Sequence, residues 1–166
     1  MRALCRLPFD AFRPLPGANL PEPARRLLDH ARDMTSTLAA FHGSALRVEI
    51  LQCSRAEEIY LREVFLRTTG TGRIVEYGVL AVALEQFTAP QRAEIEAGRT
   101  PLGALLHRFQ LPFVSAPIAF FGANAESLAA TPLGAHAAGE CFGRLNRLAR
   151  PTGESLAWIL EILPPA

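Results

Sequence analysis

The chain of 166 residues is 49% hydrophobic and 20% charged, which supports one globular domain with a real core. Its 17 basic and 16 acidic residues leave a net charge of +1 and form no basic or acidic tail, which argues against nucleic acid or a membrane surface as partner. Cys5, Cys53 and Cys141 are isolated and odd in number, and the four histidines lack ligand spacing, so neither a disulfide framework nor a metal site is expected.

Residues 1–20 are rich in proline and read as an extended surface segment. With no sustained apolar run there, no signal peptide is read. No stretch approaches the ~18 apolar residues of a membrane span. Buried free thiols and a reducing cytoplasm are the expectation. Pro21-Glu22-Pro23-Ala24 carries the signals of a helix start, and apolar residues at helical spacing (Leu27, Leu28, Ala31, Met34, Leu38) predict one or two helices ending at His42-Gly43.

Leu46, Val48 and Ile50 alternate with Arg47 and Glu49, which predicts a strand with one buried face. A second strand is expected over 58–67 and a third over 73–84. The turn Thr68-Thr69-Gly70-Thr71-Gly72 joins them as a hairpin, so the sheet is at least partly antiparallel. Short helices are predicted over 89–97 and 101–107, the second with Thr100 as its cap and Pro101 in first position. Further strands are expected over 113–122, 142–148 and 155–163. Residues 123–139, rich in Ala and Gly, read as a loop, flap or lid. The class is therefore α+β, a single domain over 1–166, with an antiparallel sheet of about six strands and helices packed on it.

Two charges stand out because they occupy apolar strand faces. Side chains alternate along a strand. Arg62 thus shares a face with Tyr60, Val64 and Leu66, and Glu161 shares one with Ile159 and Leu163. A buried charge is costly unless it is paired or meets a polar ligand. The pair reads as a structural ion pair, as a face that looks out to water, or as part of a buried pocket for a small anionic molecule. Glu63 and Glu76, close by in sequence, are expected to face solvent or a neighbouring strand.

Four segments in order resemble the chorismate pyruvate-lyase family, whose enzymes make 4-hydroxybenzoate. Asp33-Met34-Thr35 resembles its Ser-Met-Thr segment, and Tyr60-Leu61-Arg62-Glu63-Val64-Phe65-Leu66 resembles its W-L-R-E-I-L-L strand. Gly98-Arg99-Thr100-Pro101-Leu102-Gly103 resembles its G-K-T-P-L-G turn, and Leu160-Glu161-Ile162-Leu163-Pro164 resembles its T-E-L-F-L-P close. Phe142-Gly143-Arg144 is a weaker match to W-G-R. Val75-Glu76-Tyr77-Gly78 and the closing Leu-Glu-Ile-Leu-Pro-Pro look more like a divergent bacterial lyase-like branch than the ubiquinone-pathway enzyme.

The resemblance implies an antiparallel sheet enclosing a site away from solvent. It implies that Arg62 binds a ring carboxylate, that Met34 and Leu102 contribute backbone N–H groups, and that Glu161 hydrogen-bonds the ring hydroxyl. The implied reaction is a cofactor-free elimination from chorismate that releases pyruvate and leaves 4-hydroxybenzoate, with Arg62 and Glu161 as the catalytic pair. One departure matters. The ubiquinone-pathway enzyme carries an arginine on the strand after the hairpin, in G-R-T-V-V-P, a natural partner for the second carboxylate of chorismate, and Glu76-Tyr77-Gly78-Val79-Leu80 has none. Arg144, Arg99 and His107 are the candidates to replace it. The alternatives are a non-catalytic binding protein for a small aromatic carboxylate and a 3-hydroxybenzoate-forming enzyme. Only about 30 residues precede Asp33, too few for the DNA-reading domain of related regulators, and a cytoplasmic monomer is expected.

Overall fold

The computed structural model describes residues 7–165. Cys5, and the start of the segment expected to be extended, lie outside them. Seven strands form one antiparallel sheet: β1 (Arg13–Leu15), β2 (Leu46–Ala56), β3 (Ile59–Thr68), β4 (Ile74–Ala83), β5 (Val114–Asn124), β6 (Glu140–Ala149) and β7 (Ser155–Leu163). Their spatial order is β1-β5-β6-β7-β4-β3-β2. Four helices accompany them: α1 (Ala24–Leu28), α2 (Met34–His42), α3 (Ala89–Ala97) and α4 (Leu102–Arg108). The fold is α+β, as the sequence predicts, with one strand more than expected. The extra strand is β1, a three-residue edge strand on β5. Its central Pro14 fits there because an edge leaves the missing N–H without consequence.

Local chemistry sets the helix limits. Asp33 caps α2, its carboxylate accepting the Ser36 N–H at 2.8 Å, and Gly43 ends the helix at φ 57°, a left-handed conformation that favours glycine. At the start of α3 the Gln91 side chain reaches back to accept the Thr88 N–H at 3.0 Å. The start of α4 differs from expectation by one residue: Pro101, not Thr100, occupies the cap, and Leu102 is the first helical residue. Pro101 has extended ψ, so it cannot itself be in the first turn.

The sheet is covered on both faces. On one, the helices bury Tyr60, Val64, Leu80 and Ile159 together with Leu102, Leu105 and Leu106. Towards β1 and the start of β4, that layer continues through Leu28, Met34 and Leu38 against Leu66 and Leu163. The other face packs Phe65, Tyr77 and Ile162 beneath Leu128 and Leu133. These two leucines come from short 3-10 turns at Ala125–Leu128 and Pro132–Ala135. Residues 123–139 are thus not a lid over the helical side; they cover the opposite face of the sheet. Of the described cysteines, Cys141 is buried as expected, but Cys53 is exposed.

Candidate ligand-binding site

The antiparallel register brings the charged positions into one array. On the helix-facing side, one row across the sheet runs Arg144, Glu161, Gly78, Val64, and the next runs Asn146, Ile159, Leu80, Arg62. Glu76 lies opposite Leu66, two residues before Gly78 on β4, and so shares this face. Arg62 and Glu161 therefore stand on strands separated by β4 and do not pair with each other.

A cavity lies between this face and the helices. It is lined by Arg62, Glu76 and Glu161, by the apolar Val64, Leu66, Leu80 and Ile159, and by Asn146. Met34 and Leu102, the first residues of α2 and α4, close it from above. All four residues singled out for ligand contact thus meet at one cavity. Position 78 on its floor is glycine, and there is little room for more. A Cβ there would sit 3.1 Å from Glu76 Oε1, 3.2 Å from Val64 Cγ2 and 3.5 Å from Leu80 Cδ1. The cavity measures about 40 Å³. An apolar cavity of roughly 150 Å³ accommodates benzene, so a ring-sized ligand must widen this one.

The buried charges are unequally satisfied. Arg62 is 1% exposed, and its Nε and Nη1 have no partner. Burial lowers its pKa, yet a guanidinium stays charged under any condition in which the protein is folded. Arg144 is fully buried; its Nε donates to Glu161 Oε2, and its Nη1 donates to the carbonyls of Leu28 at 2.7 Å and His30 at 2.9 Å. Its Nη2 has no partner. Glu161 is pushed upward by burial, opposed by Arg144. Glu76 is pushed well above the usual carboxylate range by burial first and by neighbouring Glu161 second, with Arg144 opposing; its Oε2 is unpartnered. Glu161 holds the guanidinium and Glu76 does not, so of the two Glu76 is the carboxyl on which burial favours a proton.

The remaining candidates fall elsewhere. Arg99 is exposed between α3 and α4 and does not line the cavity. His107 is on the outside: its Nε2 lies 3.1 Å from Asp33 Oδ2, and it lines an open outer hollow with Phe113 and Arg32. Asp33 borders both that hollow and the inner cavity, so the Asp33–His107 pair bridges α2 and α4 at the cavity's outer rim. Glu63 points to the opposite face, where Tyr77 Oη and Gln52 Nε2 donate to it. Trp158, three residues from Glu161, is also on that opposite face, half-exposed beneath the Arg147 guanidinium. It is no reporter for the cavity.

Glu76 is the residue that sequence reasoning missed. The usable signal was its alternation with Gly78 and Leu80 on β4. A bulge between Leu66 and Arg67 shifts the hairpin register, so counting back across the turn does not reveal which face Glu76 takes.

No protein-family model matches the chain, and no curated protein does. Among solved structures, the crystal structure of gene product SA0254 from Staphylococcus aureus is similar over 82% of this chain and 90% of that one. The TM-score is 0.56 and the identity 9%. A likeness at that identity supports the fold alone.

Proposed function

We propose that this protein holds a small aromatic carboxylate in the cavity between sheet and helices. The observation that carries this reading is Arg62, a buried guanidinium whose Nε and Nη1 have no partner, set beside the apolar Val64 and Leu80. An arginine fork suits a planar carboxylate, and a buried cation with no protein partner needs an anion from outside. Leu80, Ile159 and Val64 supply apolar surface for a ring. Glu161, held by Arg144 and lining the cavity, would accept a hydrogen bond from a ring hydroxyl. These are the roles that the resemblance to chorismate pyruvate-lyases implies for Arg62 and Glu161, and Met34 and Leu102, for which it implies N–H contacts, border the same cavity. The β-ladders hold the floor, so the wall that yields to a ring is the α2–α4 side.

A second reading is the lyase reaction, conversion of chorismate to 4-hydroxybenzoate and pyruvate. What favours it is a second buried arginine behind Glu161: Arg144, whose Nη2 has no partner, although Glu161 rather than Arg144 lines the cavity. In that reaction the ring loses its C4 proton as the C3–O bond breaks, and the bond's electrons leave with enolpyruvate. The protein's share is orientation and charge placement. Arg62 would fix the ring carboxylate and Glu161 the 4-hydroxyl.

Both readings are tested on the same sample. Calorimetric titration with 4-hydroxybenzoate measures binding, and incubation with chorismate followed by chromatography measures pyruvate and hydroxybenzoate. Saturable binding supports the pocket; product at the enzyme's concentration or above supports turnover. A folded sample that neither binds nor turns over refutes both.

A further inference from the structure

We propose that the cavity is selective for ligands with a single carboxylate, and that Glu76 is the residue that imposes this limit. The inference rests on the reading of the cavity as a carboxylate site and names the class of acid it takes.

The charged groups at the cavity and directly behind its wall come from four strands and the cap of α2. From β3 comes Arg62, unpaired; from β6 comes Arg144, bound to Glu161 of β7 and to two carbonyls of the α1 region. From β4 comes Glu76, and from α2 comes Asp33 at the rim, already engaged with the Ser36 N–H and His107. Arg144 is already paired with Glu161, and the other charged groups lining the cavity, Glu76 and Asp33, are carboxyls. Among the described residues, Arg62 is therefore the one lining cation without a partner. A monoanion pairs with it. The second carboxylate of a dianion meets no free cation and lies beside Glu161 and Glu76, and burying an unpaired charge is strongly unfavourable.

Glu76 is also the group at the far end from Arg62. It stands four residues along the sheet, since Arg62 pairs with Leu80 and Leu66 with Glu76. Protonated, it has one O–H to donate, while ionised Glu161 has only lone pairs to offer. A neutral hydroxyl satisfies both, accepting from one and donating to the other. A second carboxylate would satisfy Glu76 but face Glu161 across the same space. Chorismate, with two carboxylates, is on this account a poor ligand, and a hydroxylated aromatic monoacid a good one.

The test compares two ligands of the same shape. Benzene-1,4-dicarboxylate and its monoamide, 4-carbamoylbenzoate, are used to displace 4-hydroxybenzoate from the full-length protein, followed by calorimetry at neutral pH. The monoamide is expected to bind at least tenfold tighter than the diacid. In Glu76→Arg, which adds a cation, the ratio should move at least tenfold toward the diacid. Equal displacement by the two acids, displacement by neither, or a folded Glu76→Arg with an unchanged ratio overturns the inference while 4-hydroxybenzoate binding keeps the pocket. If Glu76→Arg does not fold, the wild-type comparison decides alone. Absence of any 4-hydroxybenzoate binding removes the pocket reading, and this inference with it.

Discussion

Replacing Arg62 with methionine should stabilise the empty protein and abolish its ligand response. Arg62 is 1% exposed, and its Nε and Nη1 lack partners. Each buried donor left unmade costs about 1–3 kcal/mol. Methionine keeps much of the arginine's unbranched stem and fills irregular space well, so little packing is lost against Val64 and Leu80. The variant should therefore be more stable by about 2 kcal/mol, within the ~1–4 kcal/mol range seen when buried ionic groups give way to apolar ones. The assay is urea denaturation with and without 4-hydroxybenzoate. At a ligand concentration of 100 times its Kd, the wild type should gain about 2.7 kcal/mol by mass action, and Arg62→Met should gain nothing. A variant destabilised by more than about 1 kcal/mol, or one still stabilised by ligand, refutes the claim that Arg62 is held unpaired for an anion.

Three other outcomes are expected. Glu76 has its pKa raised by burial and then by Glu161, so the native state holds a proton that the unfolded state gives up near the ordinary carboxylate value. Stability is then full below that value and falls as pH rises toward the native pKa, by about 1.4 kcal/mol per unit. Glu76→Gln should remove this slope and match the wild type in acid, which denaturation curves across pH will show. Gly78→Val should push against Glu76, Val64 and Leu80. It should weaken 4-hydroxybenzoate binding at least tenfold by calorimetry while costing about 1–3 kcal/mol in overpacking. Glu161→Ala should cost about 3–5 kcal/mol in urea, because Arg144 is left as a buried charge without its carboxylate.

The parts of the site written in strict alternation were legible in the sequence. Arg62 with Tyr60, Val64 and Leu66, and Glu161 with Ile159 and Leu163, declare a face because strand periodicity is two and neither strand is interrupted there. Whether the two charges paired was not legible, since that depends on β4 lying between β3 and β7, a matter of strand order. Glu76 was hidden by the bulge at Leu66 and Arg67, which breaks the count across the hairpin. Strand β1 was hidden because three residues around Pro14 have no period to read. The segment 123–139 gave the wrong face: its Leu128 and Leu133 are too sparse to signal direction, and only the packing on Phe65 and Tyr77 reveals it. Arg144 was visible only as one candidate among three. Its pairing with Glu161 comes from the β6–β7 register.

The central claim is that Arg62 receives a carboxylate, and one comparison addresses it without any substitution. 4-Hydroxybenzoate and 4-hydroxybenzamide have the same outline and differ in the charge that Arg62 would meet. Titrated calorimetrically into the folded wild-type protein at neutral pH, the acid should bind at one site per chain. The amide should bind at least tenfold more weakly, the factor that follows from losing about 1.5–3 kcal/mol of charge-assisted hydrogen bonding. Equal affinity for acid and amide, or no binding of the acid, would contradict the account.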